Sequence, residues 1–400
     1  MIFGFSKPKS KEKVIAIFDI GSGSIGGAIV RIPNTDKGMP TIIKSVRTDI
    51  AFHDELDFNL FLKDMLEALK NTSKLLYDAK LGAPDEIVCV LASPWYLSET
   101  RVVKMSREHS FAFTNSIADE MLQKEIASLN ALYEKKYSGA KSSPEVIEHH
   151  VMGVSLNGYL VDEPIGMRSR SVEMHMVISM SPKLCLDKIR ETISSTFHHI
   201  PVTFSSFSVC SYLAVREKYV APDSYLLLDI GGEVTDVAII TRGILKASLS
   251  FPFGKRTFFK YICTKLEIEQ RDAVELFNLY SAGTLSDRKK KKVEPLFQSI
   301  ENSWGEAFRG CVGTLPHTLK LPGTIFLTAD SDIREWFKNV VCNEPFIQSM
   351  VSEHKCTVIT LEGPEFLDMC SIKDGTCDPF LMVEAIGIMR KSLNKDKKNA

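Results

Sequence analysis

Two similar segments, 210 residues apart in a chain of 400, constrain the fold more than any other feature of this sequence. The first reads VIAIFDI-GSGS-IGGAIVRI, and the second reads SYLLLDIGGEVTDVAII. Each joins a short apolar, β-branched run to a turn that begins Asp-Ile-Gly and to a second strand-like run. The pair predicts two β-hairpins with glycine-rich tips, one at Asp19 and one at Asp229, and hence two related halves.

The residues at the two tips favour phosphate binding. A tip rich in Gly and Ser points several backbone N–H groups at one place, because no Cβ blocks the approach. A carboxylate just before such a tip would repel phosphate unless a divalent cation lay between them, so Asp19 and Asp229 predict Mg²⁺ held mostly through waters. A single Asp-Ile-Gly turn is more often a plain hairpin. The repetition with matching strands favours a clamp on a polyphosphate.

The candidate residues of this clamp lie at the two tips. The backbones would hold phosphates, Ser22, Ser24 and Thr235 would add hydroxyl donors, and Asp236 would orient a water or pair across the cleft. The candidates for phosphate contact are Gly21, Ser22, Gly23, Ser24, Gly231, Gly232, Glu233 and Thr235. The candidates for a catalytic role, none of them assigned, are Asp19, Asp229 and Asp236.

The composition narrows the classes of protein to consider. Lys and Arg total 49 and Asp and Glu total 50, so the net charge of −1 gives no global field that would collect nucleic acid. The nine cysteines form no C-x-x-C pair, which argues against a zinc site and a disulfide framework and fits a reducing cytosol. No apolar run approaches the ~20 residues that span a bilayer. We therefore expect a cytoplasmic protein without a nucleic-acid partner.

The order of the strand-like and helix-like runs predicts two lobes and an insert. We expect a first lobe from residues 14–94 and 201–222 with a closing helix over 376–392, and a second lobe over 223–375 with a helical part near 257–322. Residues 95–200 differ from the flanking sequence in mixing strand-like and helix-like runs. This pattern predicts an inserted α+β subdomain of ordinary small-domain size. Residues 1–13 and 393–400 are expected to be flexible ends.

In these motifs the chain resembles the actin-like ATPase superfamily, and more closely its FtsA/PilM branch. FDIGSGSIGGAIV and LLLDIGGEVTDVAIITRGIL match the two phosphate motifs, LPGTIFLTADSDIREWF stands where the adenosine motif belongs, and PFLMVEAIGI resembles the closing helix. VMGVSLNGYLVDEPIGMRSRSVEMHMVIS is similar to a strand pair of FtsA's own subdomain, whereas the start MIFGFSKPK is more like PilM. The resemblance implies an α/β, ribonuclease H-like fold of two lobes, with duplicated phosphate hairpins, an FtsA-type insert and a cleft for nucleotide.

The resemblance also implies cofactors and their ligands. ATP and Mg²⁺ would bind between the lobes, with Asp19 and Asp229 serving the metal. Glu275 stands at the place of the family's ribose-contacting glutamate, and Ala329 and Asp330 stand in the adenosine motif.

Three departures from the family pattern bear on ATP hydrolysis. Ala329-Asp330 replaces a Gly-Gly pair that lets the purine lie against the backbone, and Asn278 replaces a lysine. Phe207-Ser208 stands where the family usually offers an acidic residue near the attacking water. Because phosphoryl transfer depends on positioning and electrostatics, we expect ATPase activity that is weak or absent, with ATP acting mainly as a conformational switch.

The resemblance implies a scaffold that assembles or recruits partners at the inner membrane. The sequence favours an FtsA-like role in cell division with a tubulin-like partner; the alternatives are a PilM-like role with the cytoplasmic tail of a membrane pilus protein and, third, a small-molecule kinase. Self-association into a filament or dimer is expected as well. Membrane contact would be indirect and the location peripheral, although the basic run Arg288–Lys292 and the apolar start Met1–Phe5 could each touch lipid or simply be solvated.

Overall fold

The computed structural model describes residues 12–35, 38–53, 57–136, 143–220, 222–316, 320–343 and 356–399, and all of their side chains except those of 134–136 and 394–399. The described strands form three sheets of six, five and four strands. The first eleven residues, and with them the expected lipid contact of Met1–Phe5, lie outside the described residues.

The first sheet contains the first of the two predicted hairpins. Its strands are β1 (Lys13–Ile20), β2 (Ser24–Ile32), β3 (Thr41–Asp49), β4 (Glu86–Leu91), β9 (Val202–Ser206) and β15 (Ser371–Ile372). They lie in the order β15-β3-β2-β1-β4-β9, with β1 antiparallel to β2 and parallel to β4. The strand β9 therefore forms one edge of this sheet.

Helices cover both faces of the first sheet, which explains why β1 is apolar almost throughout. Helices α1 (Phe58–Asp78) and α3 (Lys183–Ser194) pack on the face of Ala16 and Phe18. Helix α4 (Phe207–Lys218) and the final helix α9 (Pro379–Asn399) pack on the opposite face, that of Ile15 and Ile17. Successive β1 side chains thus enter two different cores, as the period of a strand requires.

The second sheet repeats the hairpin design. Its strands are β10 (Tyr225–Ile230), β11 (Thr235–Thr241), β12 (Ile244–Phe251), β13 (Thr324–Ala329) and β14 (Thr357–Thr360), in the order β12-β11-β10-β13-β14. Strand β10 is antiparallel to β11 and parallel to β13, as β1 is to β2 and β4. The predicted duplication is confirmed.

An aromatic core joins the second sheet to its helices. These are α5 (Lys255–Leu266), α6 (Gln270–Ser281), α7 (Asp287–Val312) and α8 (Arg334–Asn343). The Phe258 ring lies at their centre, edge-on to Phe277 at 4.8 Å and tilted against Trp336 at 4.7 Å, which is the usual geometry of packed rings. A short 3₁₀ helix (Gly363–Phe366) follows β14. The basic run Arg288–Lys292 is exposed in the first turns of α7.

The third sheet lies within residues 97–182, inside the range predicted as an insert. It contains β5 (Leu97–Ala112), β6 (Pro144–Leu156), β7 (Tyr159–Val161) and β8 (Arg168–Pro182), in the order β5-β8-β6-β7, with helix α2 (Asn115–Lys136) against it. The predicted fold class is confirmed, whereas the limits expected for the lobes and the insert stay predictions. Among the described helices none is long and apolar enough to cross a membrane.

Candidate functional site

The tips of the two hairpins meet. Both tips line one small cavity of about 40 Å³, and the aspartates at the ends of β1 and β10 both face it. The sequence-predicted residues that line this cavity are Asp19, Gly21, Ser22, Gly23, Ser24, Asp229, Gly231, Gly232, Asp236 and Asp330.

The four remaining candidates lie outside the lining of the cavity. The Thr235 hydroxyl donates to the carbonyl of Phe253, and Ala329 is buried at the end of β13. The Glu233 side chain lies beside Arg256, at 3.6 Å. Glu275 is exposed on α6.

Glycine allows the two tips to touch. A Cβ atom added to Gly232 would lie 2.6 Å from the Cα of Gly23 and 2.6 Å from the carbonyl carbon of Ser22, closer than real Cβ atoms approach other atoms. The Glu233 N–H donates to Ser22 Oγ over 3.0 Å, which joins the tips by a hydrogen bond. The two turns therefore lie backbone against backbone in this arrangement.

A cation of the chain itself occupies the first-sheet side of the cavity. The Arg47 guanidinium donates to Asp19 Oδ2 over 2.8 Å, to Asp378 Oδ2 over 2.7 Å and to Ser24 Oγ over 2.9 Å. Charge-assisted hydrogen bonds of this kind are about twice as strong as neutral ones. Asp19 is thus already neutralised by a side chain.

Glu384 of α9 is a further acidic group close to Asp19. It is completely buried, and burial together with the charge of Asp19 raises the pKa of Glu384 well above its ordinary value. Burial also raises the pKa of Asp19, although the charge of Arg47 opposes that effect. Burial and the nearby carboxylate therefore both favour the protonated form of Glu384.

The two aspartates on the second-sheet side of the cavity also have partners within the protein. The Thr328 hydroxyl donates to Asp229 Oδ1 over 2.5 Å, and burial followed by the charge of Asp236 raises the pKa of Asp229 well above its usual range. The Ser93 hydroxyl donates to Asp236 Oδ1 over 2.7 Å. Burial raises the pKa of Asp236 to about 6, although the Ser93 hydrogen bond opposes the shift. Asp236 thus pairs with a residue of the segment that follows β4.

Helix α5 adds two more cations at the tips. Lys255 Nζ lies 2.9 Å from both Asp330 and Asp332, so the charge that Asp330 brings to the adenosine motif is paired. The Arg256 guanidinium donates to the carbonyls of Ile50 and, over 2.9 Å, of Ala51, both in the loop that follows β3. Arg256 therefore joins α5 of the second sheet to the first sheet.

The segment between β4 and β5 contacts both tips. The Trp95 indole N–H donates to the Gly21 carbonyl over 2.7 Å, and its ring stacks on Phe61 at 4.7 Å. Ser181 of β8 donates to the Trp95 carbonyl over 2.7 Å. Because Ser93 holds Asp236 on the other tip, residues 93–95 link the third sheet to both hairpins.

These contacts decide whether Mg²⁺ and ATP fit the arrangement. A cavity of about 40 Å³ has room for a few water molecules, whereas ligand pockets measure about 300–1,000 Å³. Of the two carboxylates expected to serve the metal, Asp19 already binds a guanidinium and Asp229 accepts from the Thr328 hydroxyl. Among the described residues no group of three or more His, Cys, Asp or Glu is suited to a metal ion. The residues do not fit Mg²⁺ and ATP here; binding would require the tips to separate.

The cations of this site were not among the residues predicted from the sequence. Lys255 and Arg256 follow the second hairpin closely in the chain, directly after Gly254, so their position was a usable signal. Arg47 lies in no motif, and Glu384 lies in PFLMVEAIGI, a segment that resembles the closing helix without giving this glutamate a role. Only the pairing of β3 with β2 and the packing of α9 bring them to Asp19.

Comparison with solved structures identifies the fold. The chain is similar to a chain of a PilM-PilN type IV pilus biogenesis complex, with a TM-score of 0.58 and 12% identity over 94% of this chain and 97% of that one. This chain has an actin-like ATPase fold. The recognition made from the two hairpins is confirmed at the level of the fold.

More distant likenesses are to EutJ from Carboxydothermus hydrogenoformans (TM-score 0.39, 10% identity, 95% of this chain and 89% of that one) and to a Bacteroides thetaiotaomicron protein of actin-like ATPase fold and unknown function (TM-score 0.37, 9% identity, 95% and 99%). These two are too remote to support an argument. No protein-family model and no curated protein matches the sequence.

A second, larger cavity of this actin-like fold lies away from the hairpin tips. It measures about 490 Å³ and lies between the edge strand β9, the strand β6 of the third sheet and the end of α9. Its lining mixes apolar side chains such as Val88 and Phe204 with charged ones such as Glu145 and Arg190. The Arg190 guanidinium lies 4.9 Å from the centre of the Phe204 ring and donates to Glu145 over 2.6 Å.

One end of this cavity is closed by a buried carboxylate. A bulge at Ile147 interrupts the pairing of β6 with β8, and bulges of this kind redirect neighbouring side chains. Glu148, next to the bulge, accepts from the Ser206 N–H over 2.7 Å, from Ser205 Oγ over 2.8 Å and from Lys391 Nζ over 2.6 Å. It also lies 3.2 Å from His150. Through Glu148 the third sheet is therefore joined to β9 by hydrogen bonds and to α9 by the ion pair with Lys391.

The charge of Glu148 predicts a pH effect. Burial alone would raise the pKa of Glu148, but the charge of Lys391 and the hydrogen bond from His150 outweigh it and hold the pKa well below its ordinary value of 4.5. A carboxyl whose pKa is depressed in the folded state stabilises the fold above its unfolded pKa and loses that contribution as the pH falls further. We expect the stability difference between wild type and Glu148→Gln to be full at pH 6–7 and to shrink below about pH 4.5. Urea unfolding at a series of pH values measures it; a constant difference would contradict the assignment.

Proposed function

We propose that this chain is a partner-binding scaffold that holds an extended cytoplasmic segment of a membrane protein belonging to a type IV pilus machine. The observation that carries the proposal is the contrast between the two cavities. The cleft at the hairpin tips measures about 40 Å³ and is filled by internal ion pairs, whereas the cavity beside β9 measures about 490 Å³. The room for a ligand is therefore on the side of the edge strand.

The edge of β9 favours an extended peptide over a small molecule. In the parallel pairing with β4, the Ile87 N–H donates to the Pro201 carbonyl. The backbone N–H and C=O groups of Thr203 and Ser205 therefore point towards β4. Those of the alternate residues, Val202, Phe204 and Ser206, point away from it. The bond from the Ser206 N–H to Glu148 agrees with that alternation. An added strand would bond to the outward-facing backbone groups and place alternate side chains in the cavity.

The likeness to a chain of a PilM-PilN complex supports the pilus role over the others. The FtsA-like role in cell division, favoured by the sequence of the insert, has no such support, and its tubulin-like partner stays a prediction. Self-association and a peripheral location at the inner membrane, reached through the partner, belong to the same scaffold role. No step of this role consumes ATP.

Peptide binding tests the proposal. The cytoplasmic tails of the inner-membrane proteins encoded beside this gene, made as fluorescent peptides, are titrated with the protein; we expect one to bind with a dissociation constant of about 10 µM or tighter. Val202→Pro removes one outward N–H at the first residue of β9, where an edge strand tolerates proline, and should weaken binding about tenfold. Val202→Ala keeps that N–H and is the matched control. Failure of every tail to bind, or equal binding by Val202→Pro and Val202→Ala, would refute the docking site.

Phosphate release tests the absence of turnover. With Mg²⁺ present, the purified protein should release phosphate from ATP no faster than the buffer does, because Asp19 is paired with Arg47 and the tips are in contact. Rapid hydrolysis that depends on Mg²⁺ would favour an ATPase. ATP consumption that requires an added sugar or acid would favour the small-molecule kinase.

A further inference from the structure

We propose that Arg47 is a resident cation that takes the place of the divalent metal at the hairpin tips, so that the protein closes its cleft without nucleotide. This inference concerns the cleft alone, and it stands or falls independently of the peptide site beside β9.

The pairing of three strands places Arg47 against Asp19. Asp19 of β1 is opposite Gly26 of β2, and Gly26 is opposite Arg47 of β3, so the three residues form one cross-strand row. A Cβ atom on Gly26 would lie 2.7 Å from Arg47 Nη2 and 3.2 Å from the Asp19 Cβ. Glycine at the middle position therefore lets the guanidinium cross β2 and reach the carboxylate.

The guanidinium bonds to groups that a divalent ion would use. It forms ion pairs with both Asp19 and Asp378, whose side chains are about nine-tenths or more buried, and it donates to the Ser24 hydroxyl at the first tip. Carboxylates and hydroxyls are the oxygen ligands of hard cations. A metal ion at Asp19 would have to displace the guanidinium from Asp19 Oδ2, to which the guanidinium donates over 2.8 Å.

The same cation joins three parts of the first half of the fold. Asp378 Oδ1 accepts from the N–H groups of Phe380 and Leu381, so it caps the start of α9 while its other oxygen accepts from Arg47. Arg47 thus ties β1, the first tip and α9 together. With this charge supplied by the chain, the tips lie in contact and the cavity between them measures about 40 Å³.

Thermal unfolding with and without Mg²⁺ tests the inference. The wild-type melting temperature should not change with 5 mM Mg²⁺, alone or with ATP, an ion excess that would saturate an ordinary magnesium–nucleotide site. Arg47→Ala should lower the melting temperature by several degrees, and Mg²⁺ should restore at least half of that loss in a saturable way by entering the vacated carboxylate site. Arg31→Ala, which removes an exposed partner of Glu12, is the matched control and should show no such recovery.

The outcomes are distinct. A melting temperature of the wild type that rises by several degrees with Mg²⁺ and ATP, or ATP binding seen by calorimetry, would overturn the inference. So would a response to Mg²⁺ that is equal in Arg47→Ala and Arg31→Ala. If Arg47→Ala is insoluble, Gly26→Ala displaces the guanidinium from Asp19 and the same comparison applies; if neither variant is soluble, calorimetry of the wild type with Mg²⁺ and ATP decides alone.

Discussion

Lys391→Met is expected to lower the free energy of unfolding by about 3 kcal/mol at pH 7, because it leaves the charge of Glu148 buried without its cation. The Glu148 side chain is 2% exposed, and Lys391 Nζ lies 2.6 Å from it. The effect falls at the lower end of the range for broken buried pairs, since the hydrogen bonds from Ser205 and from the Ser206 N–H remain. Urea unfolding followed by circular dichroism measures it.

Two variants serve as controls for this prediction. Lys218→Met breaks a pair with Asp368 whose carboxylate is largely exposed, and it should cost less than about 1 kcal/mol. Adding Glu148→Gln to Lys391→Met removes the orphaned charge and should recover about 1–2 kcal/mol relative to the single variant. A double variant as unstable as the sum of its two single changes would show that the pair is not coupled.

Gly232→Ala is expected to destabilise the protein by about 3 kcal/mol and to separate the hairpin tips. The new methyl group would meet the backbone of Ser22 and Gly23 at 2.6 Å, and backbone atoms cannot turn aside as a flexible side chain can. The bond from the Glu233 N–H to Ser22 should be lost with the contact, so amide hydrogen exchange at residues 22–24 should become faster. Denaturant unfolding and exchange measured by mass spectrometry give the two readouts.

Gly310→Ala is the matched control for the tip. A Cβ atom on Gly310 meets no atom within 4 Å, and the residue lies within α7, where alanine favours the helix by about 0.8–1.0 kcal/mol over glycine. Stabilisation by Gly310→Ala together with destabilisation by Gly232→Ala would separate contact at the tips from a general effect of replacing glycine. Wild-type stability and exchange in Gly232→Ala would contradict the closed contact.

Local patterns predicted the hairpins because each pattern lies within about twenty consecutive residues and occurs twice. The apolar, β-branched run of β1 was likewise enough to predict a strand. The resemblance to actin-like proteins rested on the order of those motifs, and the fold confirms it. The structure is similar to a chain of a PilM-PilN complex, whereas the sequence had ranked PilM second.

The cations at the tips could not be predicted in the same way, because their positions depend on strand register. Arg47 reaches Asp19 only because Gly26 is directly opposite both, and a shift of one residue in β3 would turn Arg47 to the other face. The position of the Glu148 side chain likewise depends on a bulge in β6, and no sequence motif marks that bulge. Charged side chains 28 and 243 residues from their partners are paired by topology, which one sequence does not reveal.

The hydrogen bonds of residues 93–95 have a mechanical consequence. Trp95 bonds to Gly21 on one tip and to Ser181 of β8, while Ser93 bonds to Asp236 beside the other tip. A peptide that wedged β6 away from β9 would swing the third sheet, and this short tether would transmit the displacement to both tips at once. Binding of a peptide beside β9 and separation of the hairpin tips would then be coupled through only three residues, 93–95.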